Sequence, residues 1–222
     1  MIKKKYVLCI IPARSGSKGI KNKNIIKINN KHLLDYTCQF TNKIKSIDRT
    51  VISTDSKKYQ LIAEKYGVGT FFKRNKKLSG DRISDHQVIY DALIKSEKYY
   101  KKQFDIIIYL QPTSPIRKVN DLNKALKKFI LNKFDSLWSI SEIDLKFNPL
   151  KQLIINDKNI RYFSKLGKNV IARQQLNKTY IRNGVFYIID RKLILSKNSI
   201  LGSKCGYYII NHKIVNIDDR SD

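Results

Sequence analysis

Short apolar runs alternate with longer amphipathic segments along the first two thirds of the chain. The runs are typical of buried β-strands, and they lie at 6–11, 50–55, 68–72, 105–110 and 135–140. The segments between them carry apolar residues at helical spacing, which predicts helices at 32–45, 57–66, 84–100 and 119–131. Strands and helices that alternate with short connections predict βαβ units and a mostly parallel sheet between layers of helices.

The pattern changes near residue 141. Short apolar pieces and polar turns follow, with Pro149 among them, and they predict a small β-rich excursion. The main pattern then resumes with a strand, a helix and two late strands, at 185–189, 190–196, 207–210 and 214–217. We therefore expect one three-layer α/β domain over residues 1–222, with an insertion at 142–182.

The apolar runs and the cysteines indicate a cytoplasmic protein. No run approaches the ~20 residues of a membrane span, and the N-terminus leads into a strand pattern without the features of a signal peptide. The three cysteines (Cys9, Cys38 and Cys205) are far apart and form no C-x-x-C pair. This usage predicts free thiols in a reducing compartment, and no zinc site.

The net charge of +27 would be typical of a nucleic-acid-binding protein. The lysines, however, are spread along the whole chain beside many asparagines and isoleucines, as the codon usage of an AT-rich genome favours. We therefore expect neither a nucleic-acid partner nor a membrane partner. A basic surface would still attract anionic substrates and speed their encounter.

The loop after the first strand is the main candidate for chemistry. From Arg14 to Asn24 it carries two glycines, two serines and four cations. Small residues let backbone N–H groups approach an anion, and the cations neutralise it. Neither a Walker loop nor a G-x-G-x-x-G motif is present. A solvated lysine-rich turn is the alternative, but ligands of parallel sheets bind at the carboxyl ends of strands, which favours a phosphate site.

The pattern Pro-Ala-Arg-x-x-Ser-Lys-Gly-x-x-x-Lys-Asn, from Pro12 to Asn24, resembles the signature of the acylneuraminate cytidylyltransferase family. That family comprises the CMP-sialic acid synthetases and their relatives. The resemblance implies that Arg14 and Lys23 are the catalytic cations on the triphosphate. It implies nucleotide contacts for Ala13, Arg14, Ser17, Lys18, Gly19 and Asn24.

Two further segments match the family around the nucleotide base. Arg74 matches an arginine near the cytosine ring, and its planar fork of donors suits a pyrimidine carbonyl. The alternative for Arg74 is an exposed basic residue among neighbouring lysines. In the polar loop that follows, the resemblance implies that backbone groups of Ile83 and Ser84 read the edge of the base.

The implied sugar contacts come from three later segments. Gln111 opens Gln-Pro-Thr-Ser-Pro-Ile-Arg, which matches Q-P-T-S-P-x-R of the family and also predicts a rigid turn. Arg173 and Gln174 lie in another matching segment, and an arginine can grip a sugar carboxylate with two hydrogen bonds. Lys151 follows Phe-Asn-Pro-Leu, which resembles a segment that touches the sugar.

The resemblance also implies Mg²⁺ (or Mn²⁺) near the C-terminal end of the sequence. The family has Asp-Ile-Asp there, and this chain has Asn216-Ile217-Asp218. We expect Asp218 to be a ligand, and Asn216 to be a weaker one because its side chain is neutral.

Together these segments imply a cytidylyltransferase that joins CTP to a nine-carbon keto-sugar acid, giving a CMP-sugar and pyrophosphate. The implied nucleophile is the anomeric hydroxyl, and no residue stands out as its general base. A homodimer is implied, with the insertion reaching the neighbouring subunit. The alternatives are a CMP-Kdo-type or other sugar-acid nucleotidyltransferase, or a degenerate relative that binds CTP or nucleic acid.

Overall fold

The computed structural model describes residues 5–17, 19–219 and 222. Its strands are β1 (Val7–Pro12), β2 (Lys27–Ile28), β3 (Lys31–His32), β4 (Arg49–Ser53), β5 (Ile106–Tyr109), β6 (Ser136–Ile143), β7 (Leu153–Asn156), β8 (Asn159–Tyr162), β9 (Thr179–Asp190) and β10 (Cys205–Ile209). Its α-helices are α1 (Leu33–Thr41), α2 (Lys57–Glu64), α3 (Asp85–Tyr100), α4 (Val119–Leu131) and α5 (Arg191–Ser196).

The central sheet has the strand order β10-β6-β9-β5-β1-β4. Strand β1 is parallel to both of its neighbours, β4 and β5, and β10 is parallel to β6. Strand β9 is antiparallel to β5 and β6. It runs back beside β6 because no crossover helix separates these two strands along the chain. The predicted mostly parallel sheet is confirmed.

Strand β1 lies inside the sheet, next to the edge strand β4, and contributes to both hydrophobic layers. Val7, Cys9 and Ile11 pack with residues of α1, α2 and α4, whereas Leu8 and Ile10 face α3 and α5. This division follows from the alternation of side chains along a strand. The continuous apolar run is explained by burial on both faces, and the three-layer prediction is confirmed.

Residues 68–72 and 214–217, which the pattern assigned to strands, do not join the sheet as strands. The first segment makes only an isolated bridge between Val51 and Gly69. Beyond it, the ring of Phe71 stacks on Tyr99, with the ring centroids 3.9 Å apart. In the second segment, Ile217 donates its backbone N–H to the carbonyl oxygen of Thr113 (2.8 Å), so it packs on a loop.

The predicted bounds of the insertion, 142–182, are too wide, because residues 142–143 and 179–182 belong to β6 and β9 of the central sheet. Between these strands the insertion contains a separate two-stranded antiparallel hairpin formed by β7 and β8. Short 3₁₀ turns at Pro149–Lys151 and Arg173–Gln175 flank it. Large apolar side chains are exposed here, including Ile155 (77%), Ile160 (66%) and Ile171 (93%). Within the described part of the chain, none of the helices is both long and apolar enough to cross a membrane.

Candidate active site

A cavity of about 620 Å³ lies where β1 and β5 end. The loops after these strands line it, together with the start of α3 and residues near the end of the chain. Several predicted site residues share this cavity: Arg14, Ser17, Gly19, Lys23, Asn24, Arg74, Ile83, Gln111, Asn216 and Asp218. Lys18 lies outside the described residues. The structure therefore brings most of the predicted nucleotide positions together.

The loop after β1 is anchored by Asp55. The backbone N–H and the hydroxyl of Ser15 donate to the two carboxylate oxygens of Asp55, each at 2.8 Å. Burial works to raise the pKa of Asp55, but the hydrogen bonds from Ser15 and the charge of Arg74 outweigh it and lower that pKa. Asn24, which is buried, donates to the carbonyl oxygen of Arg14 (3.0 Å) and closes the loop on itself.

Two cations of the loop are paired with acids at the cavity. Arg14 Nη1 lies 2.7 Å from Asp81 Oδ1 and donates to the carbonyl oxygen of Ser79 (3.3 Å). Lys23 Nζ lies 2.7 Å from Asp218 Oδ1. The carboxylates are 38% and 62% exposed, so solvent weakens both pairs. A triphosphate would compete well for both cations, because it carries more charge than either acid.

Gly19 connects this loop to the other side of the cavity. A Cβ at this position would lie 2.8 Å from the backbone oxygen of Asp218, which is closer than real Cβ atoms come. The absence of a side chain therefore lets the phosphate loop and the Asp218 segment meet.

Arg74 is a buried residue and is only 4% exposed, so the alternative of an exposed surface arginine is wrong. Its Nε donates to the hydroxyl of Ser53 (2.9 Å), and its Nη2 donates to the carbonyl oxygen of the same residue. Burial lowers the pKa of the guanidinium. These contacts fix the guanidinium at the end of β4, with part of the residue facing the cavity.

Ala13 and Ser84 have structural contacts that place them beside the cavity wall. Ala13 is fully buried, and its backbone N–H donates to the carbonyl oxygen of Ser53 (3.0 Å). The hydroxyl of Ser84 accepts from the backbone N–H of Gln87 (3.3 Å) and caps α3. Neither residue is among those that line the cavity.

Gln111 lies at a point where two segments converge on the cavity. Gly184 in β9 has a φ of +70°, and a Cβ there would lie 2.9 Å from Gln111 Oε1 and 3.6 Å from Ser114 Oγ. The backbone oxygen of Gln111 accepts from Arg117, whose Nε also donates to the carbonyl oxygen of Val185 (2.7 Å). Arg117 thereby joins the Gln111 loop to β9.

Asp218 and Asn216 form the predicted metal position. The amide nitrogen of Asn216 donates to Asp218 Oδ2 (2.5 Å), and its oxygen accepts from Ser114 Oγ (3.1 Å). The described residues hold no cluster of three or more His, Cys, Asp or Glu side chains that could bind a metal by themselves. Mg²⁺ is usually bound by one or two carboxylates together with substrate phosphates. One carboxylate and one amide oxygen fit that arrangement, provided that a triphosphate completes it.

Three predicted sugar residues are not brought to the cavity by this chain. Lys151, Arg173 and Gln174 are exposed in 3₁₀ turns of the insertion, and they are not among the residues that line the cavity. Their roles stay predictions.

The cavity residues that sequence reasoning missed include Asp85 and Tyr109. The hydroxyl of Tyr109 donates to Asp85 Oδ1 (3.0 Å). The sequence features that could have pointed to these residues are an aspartate in the first turn of a predicted helix and a tyrosine at the end of a buried strand.

Comparisons with known proteins identify the family of this chain. A family model described as "Cytidylyltransferase" matches residues 8–216. The chain is 38% identical over 217 residues to "Post-translational flagellin modification protein B" of Campylobacter coli, covering 97% of this chain and 91% of the relative. It is 36% identical, with the same coverage, to "CMP-N,N'-diacetyllegionaminic acid synthase" of Campylobacter jejuni.

A solved structure shares the fold. It is CMP:2-keto-3-deoxy-manno-octonic acid synthetase complexed with CTP, with a TM-score of 0.73 and 15% sequence identity. The match covers 98% of this chain and 95% of that chain. At this identity the likeness supports the architecture alone.

Proposed function

The chain belongs to the cytidylyltransferase family, and we propose that it transfers CMP from CTP to a nonulosonic acid with release of pyrophosphate. The observation that carries this proposal is that residues predicted to bind the phosphates, the sugar and the metal line one cavity. The phosphate loop supplies Arg14 and Lys23, while Gln111 and Asp218 line the same space. The C. jejuni relative, named for a nonulosonic acid, supports a substrate of that class for this chain.

The chain's own residues would act mainly by binding and charge neutralisation. Arg14 and Lys23 leave their weak ion pairs with Asp81 and Asp218 and bind the triphosphate. They offset the negative charge that moves onto pyrophosphate as the anomeric hydroxyl attacks the α-phosphate. Gln111, held by Arg117 and beside Gly184, orients the sugar acid.

Asp218 and Asn216 would hold Mg²⁺. When bound there, Mg²⁺ would act as a Lewis acid toward the phosphate oxygens. The contact between Gly19 and Asp218 keeps this position next to the phosphate loop.

We further propose a homodimer in which the insertion of a second copy completes the sugar site. The insertion exposes apolar side chains in the same region that carries the predicted sugar residues, among them Phe163 (63%), Leu166 (65%) and Ile171 (93%). A concentration of exposed apolar surface is typical of a protein interface. A second chain that covers this surface would also carry its copy of Arg173, a cation suited to a sugar carboxylate, toward the cavity.

We place the reaction in the cytoplasm and propose no nucleic-acid partner. The free thiols of Cys9, Cys38 and Cys205 support a reducing compartment. The net charge of +27 would then serve to attract the two anionic substrates.

Pyrophosphate release tests the proposed function. The purified chain is assayed with each nucleoside triphosphate and with sialic, legionaminic, pseudaminic and Kdo acids at saturating Mg²⁺. We expect release with CTP and one or more of the nine-carbon acids. Activity only with Kdo would favour the alternative sugar-acid enzyme, and no release with any pair would contradict the proposal. Salt-dependent binding to arbitrary DNA in the absence of turnover would favour a nucleic-acid-binding relative.

A further inference from the structure

The aspartate at the start of α3 is held in a fixed orientation by a buried tyrosine. Tyr109 is 2% exposed, and its hydroxyl donates to Asp85 Oδ1 (3.0 Å). Burial, together with the nearby charge of Asp85, raises the pKa of Tyr109 well above its ordinary value. The tyrosine therefore stays protonated at neutral pH, and the direction of this hydrogen bond is fixed.

The second oxygen of Asp85 is available to a ligand. Across residues 5–17, 19–219 and 222, the hydrogen bonds of this carboxylate involve Oδ1 and leave Oδ2 unused. Asp85 lines the cavity and is the first residue of α3. The partial positive charge at a helix N-terminus stabilises an anion there, and a carboxylate accepts hydrogen bonds.

The cavity wall at the start of α3 offers apolar surfaces that suit a nucleotide base. The cavity wall includes the apolar side chains of Leu78, Ile83 and Val88, which come from the start of α3 and the loop before it. Apolar surfaces suit the faces of a planar ring, whereas a carboxylate beside a triphosphate would repel it. The cations Arg14 and Lys23 come from another segment, after β1, and Arg14 reaches the 78–84 loop at Ser79 and Asp81.

We propose that Asp85 selects cytosine over uracil by accepting a hydrogen bond from the 4-amino group at Oδ2. This inference rests on the proposed use of CTP. A carboxylate is a suitable acceptor for that amino group. Uracil has a carbonyl oxygen in the same place, so two acceptors would face each other and neither would be paired. Arg74, which lines the same cavity, is a donor for the remaining carbonyl of the ring.

The hydrogen bond between Tyr109 and Asp85 leads to a specific prediction for Asp85→Asn. The Tyr109 hydroxyl can also accept, but an amide nitrogen turned toward it would leave its buried proton unpaired. The oxygen of the new amide therefore turns toward Tyr109, and the amide nitrogen faces the base. That nitrogen donates to the carbonyl of uracil and opposes the amino group of cytosine. We expect the ratio of kcat/KM for CTP to that for UTP to fall by about 10-fold to 100-fold. Adding Tyr109→Phe frees the amide to turn over, and we expect part of the preference for CTP to return.

The control is Asp91→Asn, which changes the same residue type on the same helix. Asp91 pairs with Lys95 (2.8 Å) and does not line the cavity. It should keep the wild-type ratio. Thermal unfolding checks that each variant is folded.

Calorimetric binding to the wild-type chain tests the contact without any substitution. CTP is compared with the triphosphate of 2-pyrimidinone riboside, which lacks the 4-amino group. We expect the wild type to bind the analogue at least 10-fold more weakly than CTP, and Asp85→Asn to show little difference between the two.

An unchanged CTP/UTP ratio in Asp85→Asn, or equal binding of CTP and the analogue by the wild type, would overturn the role of Asp85. In that case activity of the wild type with CTP would leave the proposed function intact. Failure of the wild type to use CTP with any acid would instead contradict the proposed function. The binding comparison would then still decide whether Asp85 reads the base.

Discussion

Gly184 offers the most direct test of whether the Gln111 side chain acts on the sugar acid. Gly184 lies within β9 at a φ of +70°, and a Cβ there would meet Gln111 Oε1 at 2.9 Å. Gly184→Ala therefore does two separate things. It places an L-residue in the left-handed region, and it pushes the Gln111 amide out of its position.

The two effects have different sizes and different readouts. The left-handed backbone costs about 1–2 kcal/mol of folding stability for a residue with a Cβ. For a chain of 222 residues, that cost lowers the melting temperature by roughly 2–8 °C. The side chain of Gln111 must shift because 2.9 Å is closer than real Cβ contacts. A misplacement of about 1 Å in a positioning group costs up to ~100-fold in rate.

Gly67→Ala is the matched control, because Gly67 has a φ of +72° and nothing within 4 Å of its Cβ position. Urea unfolding should show similar losses of stability for the two variants. Pyrophosphate release with varied sugar acid should show a raised KM or a lowered kcat only for Gly184→Ala, with the KM for CTP unchanged. Wild-type kinetics in a destabilised Gly184→Ala would refute the role of Gln111, and so would equal kinetic losses in the two variants.

Three other predictions concern the shared site, the metal and the loop anchor. Arg14→Ala and Arg173→Ala should each abolish turnover. When the two variants are refolded together, part of the turnover should return, because a mixed dimer contains one intact site. If no turnover returned, the shared site would be contradicted. Asn216→Asp should lower the Mg²⁺ concentration needed for half-maximal activity, since a second carboxylate binds a hard cation better. An unchanged metal dependence would exclude position 216 as a metal ligand. Asp55 has a lowered pKa in the folded chain, so its stabilising effect is present above its unfolded pKa of ~3.9 and is lost as the pH falls through the folded value. In Asp55→Asn, the free energy of unfolding measured with urea should therefore fall less steeply as the pH drops below about pH 4. An unchanged slope would contradict this account.

The hydrophobic pattern was sufficient to predict that β1 is an interior strand of the sheet. Strand β1 is apolar without interruption, and it is buried on both faces, as expected for a parallel strand inside a sheet covered by helices. The direction of β9 was not predictable from its own residues. It follows from the connection to β6 through the insertion, and local sequence contains no signal for that pairing.

In the segment 68–72, contacts with the neighbouring helices replace the predicted strand pairing. The side-chain nitrogen of Gln60 donates to the carbonyl oxygens of Thr70 (3.1 Å) and Phe72 (2.7 Å). Phe71 and Phe72 fit a strand by composition, but Phe71 stacks on Tyr99 of α3. Only the Gly69 bridge to Val51 remains of the expected pairing. A short apolar run has two ways of burying its side chains, and residues distant in sequence decide between them.

At the start of α3, helix capping competes with the base contacts that the resemblance implied. The resemblance implied base contacts by Ile83 and Ser84, and the structure leaves Ile83 in the cavity wall. Ser84, however, is engaged with Gln87 in a capping box. This Ser-x-x-Gln pattern is visible in the sequence, and it commits the serine to the N–H groups of its own helix. The first helical residue, Asp85, lies instead in the cavity wall, where its carboxylate is held by Tyr109. The backbone N–H of Ser84, which the resemblance assigned to the base, donates to Gln87 Oε1 (3.0 Å), so the capping box occupies the group that the prediction needed.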